Sequence, residues 1–222
     1  MSLQRFWPDP AALTAHEYAG ARPPASRARP SVTSVMVSSL DGRAAVAGSS
    51  RPLGGPQDLQ LLLALRRTAD ALLVGSGTVR AESYGPLPCP AVIVSRSFDV
   101  PWEAGLFAAP GQVVLVYARE PGAVPPVAAD VDVVAVDDLA AVLADLRARG
   151  VERLLCEGGP TLNRALIAAG LLDELFLTLS PLVTGDDRQP AIVSGGALAT
   201  PVRLALRGVA GADDDLYLRY SV

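Results

Sequence analysis

The sequence predicts an α/β domain with a mostly parallel, mixed central sheet, helices on both faces and an antiparallel hairpin at its C-terminal end. Three observations carry this expectation. Short continuous apolar runs, such as Ala71-Leu72-Leu73-Val74, lack polar alternation, as strands buried on both faces do. Apolar stripes at helical spacing separate these runs: Leu59, Leu62, Leu63 and Leu65 in one segment, Leu139, Val142, Leu143 and Leu146 in another. Towards the end, Ala191–Val193, Val202–Gly208 and Asp215–Ser221 read as strands joined by Gly and Asp turns rather than helices, which favours antiparallel pairing. With 222 residues, 50% of them hydrophobic, the chain can bury one sizeable core.

Residues 1–29 contain Pro8, Pro10, Pro23 and Pro24 and read as an extended arm with one short helix around Ala11–Tyr18. His16, the only histidine, sits in this arm and receives no chemical role. The domain proper spans 30–222. Ser31–Ser38 alternates apolar and small polar residues as a strand does, and Ser38-Ser39-Leu40-Asp41-Gly42-Arg43 closes it with a tight turn. A Gly/Ser-rich loop follows, and Pro56-Gln57-Asp58 starts a helix that ends near Arg67.

After the strand at Ala71–Gly75 comes Gly75-Ser76-Gly77-Thr78-Val79-Arg80, which begins like a dinucleotide fingerprint. Arg80 stands where a third glycine belongs, and Gly85-Pro86 stops the helix within about two turns, so a Rossmann domain is not expected. Two readings stay open: a close backbone approach to a cofactor with Thr78 offering a hydroxyl, or an ordinary glycine turn. Ala91–Val94 is a further strand, and it leads to Ser95-Arg96-Ser97. Arg96 there either holds a phosphate or is simply solvated. Gln112–Tyr117 and Val131–Val136 are two more strands; Asp137-Asp138 caps a helix that Gly150 ends.

The most informative stretch is Arg153-Leu154-Leu155-Cys156-Glu157-Gly158-Gly159-Pro160-Thr161-Leu162-Asn163. It reads as a short buried strand ending in a carboxylate, a turn on two glycines and a helix with proline in its first turn. Free N–H groups of that turn make an anion site, with Glu157 beside it to hold a hydrogen-bond donor. A phosphate-bearing cofactor next to a polar substrate fits this pattern. Asp213-Asp214-Asp215 reads as a solvated hairpin turn, and no other ligand-rich segment accompanies it to suggest a metal.

The net charge of −4 and the lack of a basic, aromatic-interleaved cluster argue against nucleic acid or an anionic membrane as partner. No apolar run is long enough to span a bilayer, and the N-terminus lacks a signal-peptide core, so a cytoplasmic protein with a small-molecule substrate is expected. Cys89 and Cys156 lie far apart and are expected to be reduced thiols.

Ser38–Arg43, Asp70–Val79, Glu157–Leu162, and Gly170–Leu175 with Ser180-Pro181, taken in that order, resemble the pyrimidine reductase (C-terminal) domain of bacterial riboflavin-biosynthesis enzymes. That family is a branch of the dihydrofolate-reductase-like fold. The resemblance implies an NADPH-dependent oxidoreductase acting on a ribosylaminopyrimidine phosphate and reducing the ribosyl group to a ribityl chain. It implies that Glu157 hydrogen-bonds the substrate and that Gly158, Gly159, Pro160, Thr161, Leu162 and Asn163 wrap the cofactor pyrophosphate. Gly75, Gly77, Thr78 and Glu82 are expected along the cofactor, Ser39 and Asp41 near the nicotinamide with Asp41 as a catalytic group, and Ser95-Arg96 at the 2′-phosphate. Many family members carry a lysine near the position of Val35 and a Trp-Ile-Thr-like segment where this chain has Pro52-Leu53-Gly54; Leu53 is therefore placed against the substrate. These departures keep two alternatives open: a reductase of a dihydropterin or another small carbonyl or imine compound, and a non-catalytic nucleotide-binding protein. The zinc deaminase motifs of bifunctional relatives are absent here, and a homodimer is implied.

Overall fold

A computed structural model describes residues 2–222. Its core is an eleven-stranded mixed sheet. The central strand is β3 (Ser31–Ser39), following β1 (Leu3–Trp7) and β2 (Ala11–Leu13). The chain then lays down β4 (Ala71–Gly75), β5 (Ala91–Val94), β6 (Val113–Ala118) and β7 (Asp130–Ala135) towards one edge. It returns to insert β8 (Arg153–Cys156) between β3 and β4, and places β9 (Glu174–Ser180) on the other side of β3. These seven strands, β3 to β9, are parallel. Beyond β9 the hairpin of β10 (Ala205–Ala212) and β11 (Asp215–Ser221) is antiparallel, as its turn-rich sequence leads one to expect.

Successive residues of a strand point to opposite faces, so an all-apolar strand serves two cores at once. Leu154 and Cys156 join Ala71 and Leu73 on one face, while Leu155 joins Leu72 and Val35 on the other. The first face is covered by α4 (Leu139–Ala148) and α5 (Pro160–Ala168) through Val142, Leu143, Leu146, Leu162 and Leu166. The second is covered by α1 (Ala15–Ala19) and α2 (Pro56–Arg67) through Tyr18, Ala19, Leu61, Ala64 and Leu65. The short α3 (Ser76–Glu82) buries Val79 in a third cluster with Ile93, Val114, Leu106 and Phe107.

Two local expectations differ from what forms. The arm contributes β1, which pairs with β10 and carries β2 on its outer edge; helix begins only at Ala15, after the Thr14 cap. Leu3 is 0% exposed, so part of the arm belongs to the core. Ala191–Val193 is not a strand: Pro190 O accepts from Ala44 N, and Ile192 O accepts from the Asn163 side chain. The segment is pinned to a loop and a helix instead of to another strand.

No helix is long and apolar enough to cross a membrane, and no group of metal-ligating side chains is present, among the described residues.

Candidate active site

The cleft arises from unequal strand lengths. β8 ends at Cys156, opposite Ser34 of β3 and Leu73 of β4, while β3 continues to Ser39 and β4 to Gly75. Above the end of β8 the chain turns through Glu157-Gly158-Gly159 into α5. A cavity of about 1460 Å³ opens here, at the carboxyl ends of the parallel strands, where α/β sheets place their ligands. Val35, Met36 and Val37 of β3 contribute an apolar part of its wall.

Two glycine turns lie side by side. Gly75 N donates to Gly158 O at 2.9 Å, and Glu157 N donates to Leu73 O at 3.0 Å. Gly158 has φ +87°, which favours glycine, and the peptide between Gly158 and Gly159 is cis. A Cβ on Gly159 would sit 2.6 Å from Thr78 Oγ1, so glycine lets the two turns close with the Thr78 hydroxyl in this position. Neither α3 nor α5 has a side-chain cap at its start. The first-turn N–H groups of α5, a helix of nine residues, are thus available to a ligand. Pro160 occupies the first turn of α5, as its sequence position implies.

Glu157 is the most constrained polar side chain of the cleft. Arg66 of α2 grips it bidentately, Nε to Oε1 and Nη2 to Oε2, both at 2.7 Å, and Tyr84 Oη donates to Oε2 at 2.6 Å. The Glu157 side chain is only 6% exposed, so its charge requires such a partner. Burial, and then the neighbouring Glu157, push the Tyr84 phenol well above its ordinary range, which keeps it a donor. The carboxylate has room for about four acceptor contacts and uses three, leaving one for a ligand. Neither Arg66 nor Tyr84 was among the residues singled out from the sequence. They are 91 and 73 positions from Glu157, and no local motif links them.

The other expected residues divide into two groups. Gly75, Gly77, Thr78, Glu82, Ser95, Arg96, Glu157, Gly159, Pro160, Thr161 and Leu162 line one cavity. Glu82 accepts from Ser49 Oγ and Ser50 N, tying the 49–51 loop to α3. Arg96 is exposed and makes no hydrogen bond or ion pair among the described residues, whereas Arg66 is committed to Glu157 and Arg164 to the carbonyls of Gly196 and Ala197.

Ser39, Asp41, Leu53, Gly158 and Asn163 are not part of the cavity lining. Asp41 accepts from Ser39 Oγ and from Thr184 and Gly185, and these bonds hold its carboxyl far below the usual range. It clamps the loop after β9 instead of facing the cleft. Asn163 is buried, accepting from Ser34 Oγ and donating to Ile192 O. Leu53 is 2% exposed and packs inward, while the adjacent Gly54 and Gly55 face the cavity.

The sheet order and the cleft at the end of β8 define an α/β protein of the dihydrofolate-reductase-like fold. The model of the RibD C-terminal domain matches residues 30–218, and the chain belongs to that family. It is 30% identical over 213 residues to the 2,5-diamino-6-ribosylamino-4(3H)-pyrimidinone 5′-phosphate reductase of Methanothermobacter thermautotrophicus, covering 87% of this chain and 99% of that one. The Archaeoglobus fulgidus protein of the same name is 28% identical over 202 residues, covering 79% and 91%. Among solved structures, a pyrimidine reductase-like protein from Corynebacterium diphtheriae superposes with a TM-score of 0.78 at 24% identity, covering 95% of this chain and 99% of that one. Dihydrofolate reductase from Enterococcus faecalis, complexed with NADP(H), shares the fold at a TM-score of 0.51 and 17% identity, with coverage of 86% and 95%.

Proposed function

We propose that this chain is an NADPH-dependent reductase of a ribosylaminopyrimidine 5′-phosphate, converting the ribosyl group to an open ribityl chain. The observation that carries the reading is the seat formed where Gly159 closes on Thr78 beside the uncapped start of α5, with Glu157 at its edge. The names of the two archaeal relatives support the choice of substrate.

The residues present fit a dinucleotide. Gly77 and Thr78 with Gly159, Thr161 and Leu162 offer backbone N–H groups, and Thr78 and Thr161 two hydroxyls, to a pyrophosphate, while Gly75 brings the backbone close. Among the described residues, Arg96 is a cleft-lining cation with no hydrogen bond or ion pair, whereas Arg51 donates from Nη2 to the Glu82 carbonyl. The basic residues of this chain are all arginine, so any charged contact to a cofactor or substrate phosphate comes from a guanidinium. Arg96 holds the 2′-phosphate. When bound, the reduced nicotinamide supplies the hydride. The chain's own part is to orient the substrate through the remaining acceptor position of Glu157, held rigid by Arg66 and Tyr84, and to exclude water with the apolar β3 wall. Ser39 and Asp41 act at a distance by fixing the loop that follows β9.

We also assign the chain a homodimer. Leu206 and Leu216 on the terminal hairpin, with Phe6 and Trp7 on β1, are exposed apolar side chains on adjoining strands. Sedimentation as a monomer at micromolar concentration contradicts this.

The function is tested by following NADPH absorbance with the ribosylaminopyrimidine phosphate, in its 2-amino and deaminated forms, alongside dihydrofolate. Turnover with a pyrimidine and none with dihydrofolate is expected. The reverse result moves the substrate to the pterins, and NADPH binding without oxidation by either leaves only a nucleotide-binding role.

A further inference from the structure

Reduction of a C=N or C=O bond by hydride leaves the heteroatom one proton short, so a cleft that performs it needs an acid. Three carboxyl side chains line this one: Glu82, Glu157 and Asp58. Glu157 is ion-paired bidentately and Glu82 is turned to Ser49 and Ser50. Asp58 is different. It stands in the first turn of α2, accepts from Thr178 Oγ1 of β9 at 2.7 Å through Oδ1, and has no cationic partner among the described residues. Its Oδ2 lies against Gly54, 2.6 Å from where a Cβ would be, and Oδ2 of the buried Asp215 lies likewise against Gly55 at 2.9 Å. Two carboxyls therefore converge on consecutive glycines at the rim of the cavity.

We propose that Asp58 is the proton donor of the reduction, its Oδ2 giving a proton to the heteroatom of the bond that accepts hydride. The O–H bond of the carboxyl breaks as the N–H or O–H bond of the product forms, and water reloads the carboxylate between turnovers. Asp215 is a positioning residue: its negative charge favours the protonated form of Asp58. A side chain at 54 or 55 would collide with these oxygens, so glycine at both positions lets the two carboxyls sit at the rim of the cavity that Asp58 lines.

The groups around Asp58 agree with this role. Thr178 comes from β9, and Asp215 and Tyr217 come from β11, with Tyr217 Oη donating to Asp215 Oδ2 at 3.2 Å. Asp213 and Asp214 in the adjoining turn add further negative charge near Asp215. Burial, followed in its effect by the Thr178 bond in the opposite sense and then by Asp215, leaves the Asp58 carboxyl above its ordinary value. Burial raises Asp215 as well.

The inference rests on the reductase reading, and its test is built to fail separately. Asp58→Asn keeps the shape and removes the proton. With NADPH and the ribosylaminopyrimidine phosphate, turnover is expected to fall about 100-fold or more, the usual worth of a general acid, with NADPH affinity unchanged. Asp215→Asn is expected to retain most activity at its optimum and to shift the alkaline limb of the pH profile to lower pH. Turnover of Asp58→Asn within about threefold of wild type overturns the assignment, as does an unshifted limb in Asp215→Asn. The carboxyl resonance of Asp58 in 13C-aspartate-labelled protein, assigned by its loss in Asp58→Asn, supplies a readout independent of activity. A titration midpoint above that of an ordinary aspartate is expected; an ordinary midpoint overturns the proposal. If wild-type protein turns over no such pyrimidine, the substrate reading falls, and the titration alone decides on Asp58.

Discussion

Arg66 and Tyr84 make Glu157 a fixed feature of the cleft, and their removal should be felt first as stability. Arg66→Met strands a carboxylate that is 6% exposed, and breaking a buried pair in this way costs about 3–5 kcal/mol. Tyr84→Phe removes one charged hydrogen bond and should cost about 1.5–3 kcal/mol. Urea unfolding measures both; equal stability of Arg66→Met and wild type contradicts the pairing. Arg96→Ala should leave stability intact and erode the preference for NADPH over NADH, read from the ratio of the two kcat/KM values. Asp58 adds a pH dependence. Its folded value lies above the ordinary 3.8, so its contribution to stability is full below that value and is lost as pH rises through the raised one. The stability of Asp58→Asn relative to wild type should therefore grow as pH rises from below the ordinary value through the raised one. At this scale the sequence is readable only where partners are neighbours. Glu157 and the two glycines announce themselves in one stretch, but Arg66, Tyr84 and Asp58 reach the cleft through α2 and the end of α3, whose placement depends on sheet order.

The two glycine turns are the elements on which the proposed cofactor seat rests, and they are coupled. Gly159→Ala places a Cβ 2.6 Å from Thr78 Oγ1, so either the Thr78 side chain or the β8–α5 turn has to shift. The double variant Gly159→Ala/Thr78→Ala removes the obstructing hydroxyl. NADPH affinity measured by fluorescence titration should fall in the single variant and recover in part in the double, beyond additivity. Additive losses would mean that the contact is not what excludes alanine. Local chemistry made these elements legible: a strand run, glycines and a proline fix β8, the turn and α5 within eleven residues. β1 was not legible. Leu3–Trp7 alternates poorly, and its strand form depends on pairing with β10, some 200 residues away. The same holds in reverse for Ala191–Val193, where backbone groups taken by Ala44 and Asn163 override a strand-like composition.

For the molecule as a whole, the parallel block was predictable from its apolar runs and crossover helices. The insertion of β8 between β3 and β4 was not, because periodicity says which segments are strands and nothing about their neighbours. That insertion is what leaves a gap above Cys156 and so creates the site. Integration of the arm has a consequence of the same scale. Removing residues 1–29 strips β1 from β10, uncovers the space around Leu3 and Tyr18, and exposes a strand edge. The truncated chain should unfold at lower urea concentration and associate, as seen by light scattering; unchanged stability would return the arm to a surface role. The central claim, reduction of a ribosylaminopyrimidine phosphate at the cleft where β8 ends, is most directly tested by incubating the protein with NADPH and that substrate and identifying the product by mass. The account predicts NADPH oxidation with one equivalent of a product two hydrogens heavier, carrying an open ribityl chain. NADPH bound in the cleft with no such product formed would contradict it.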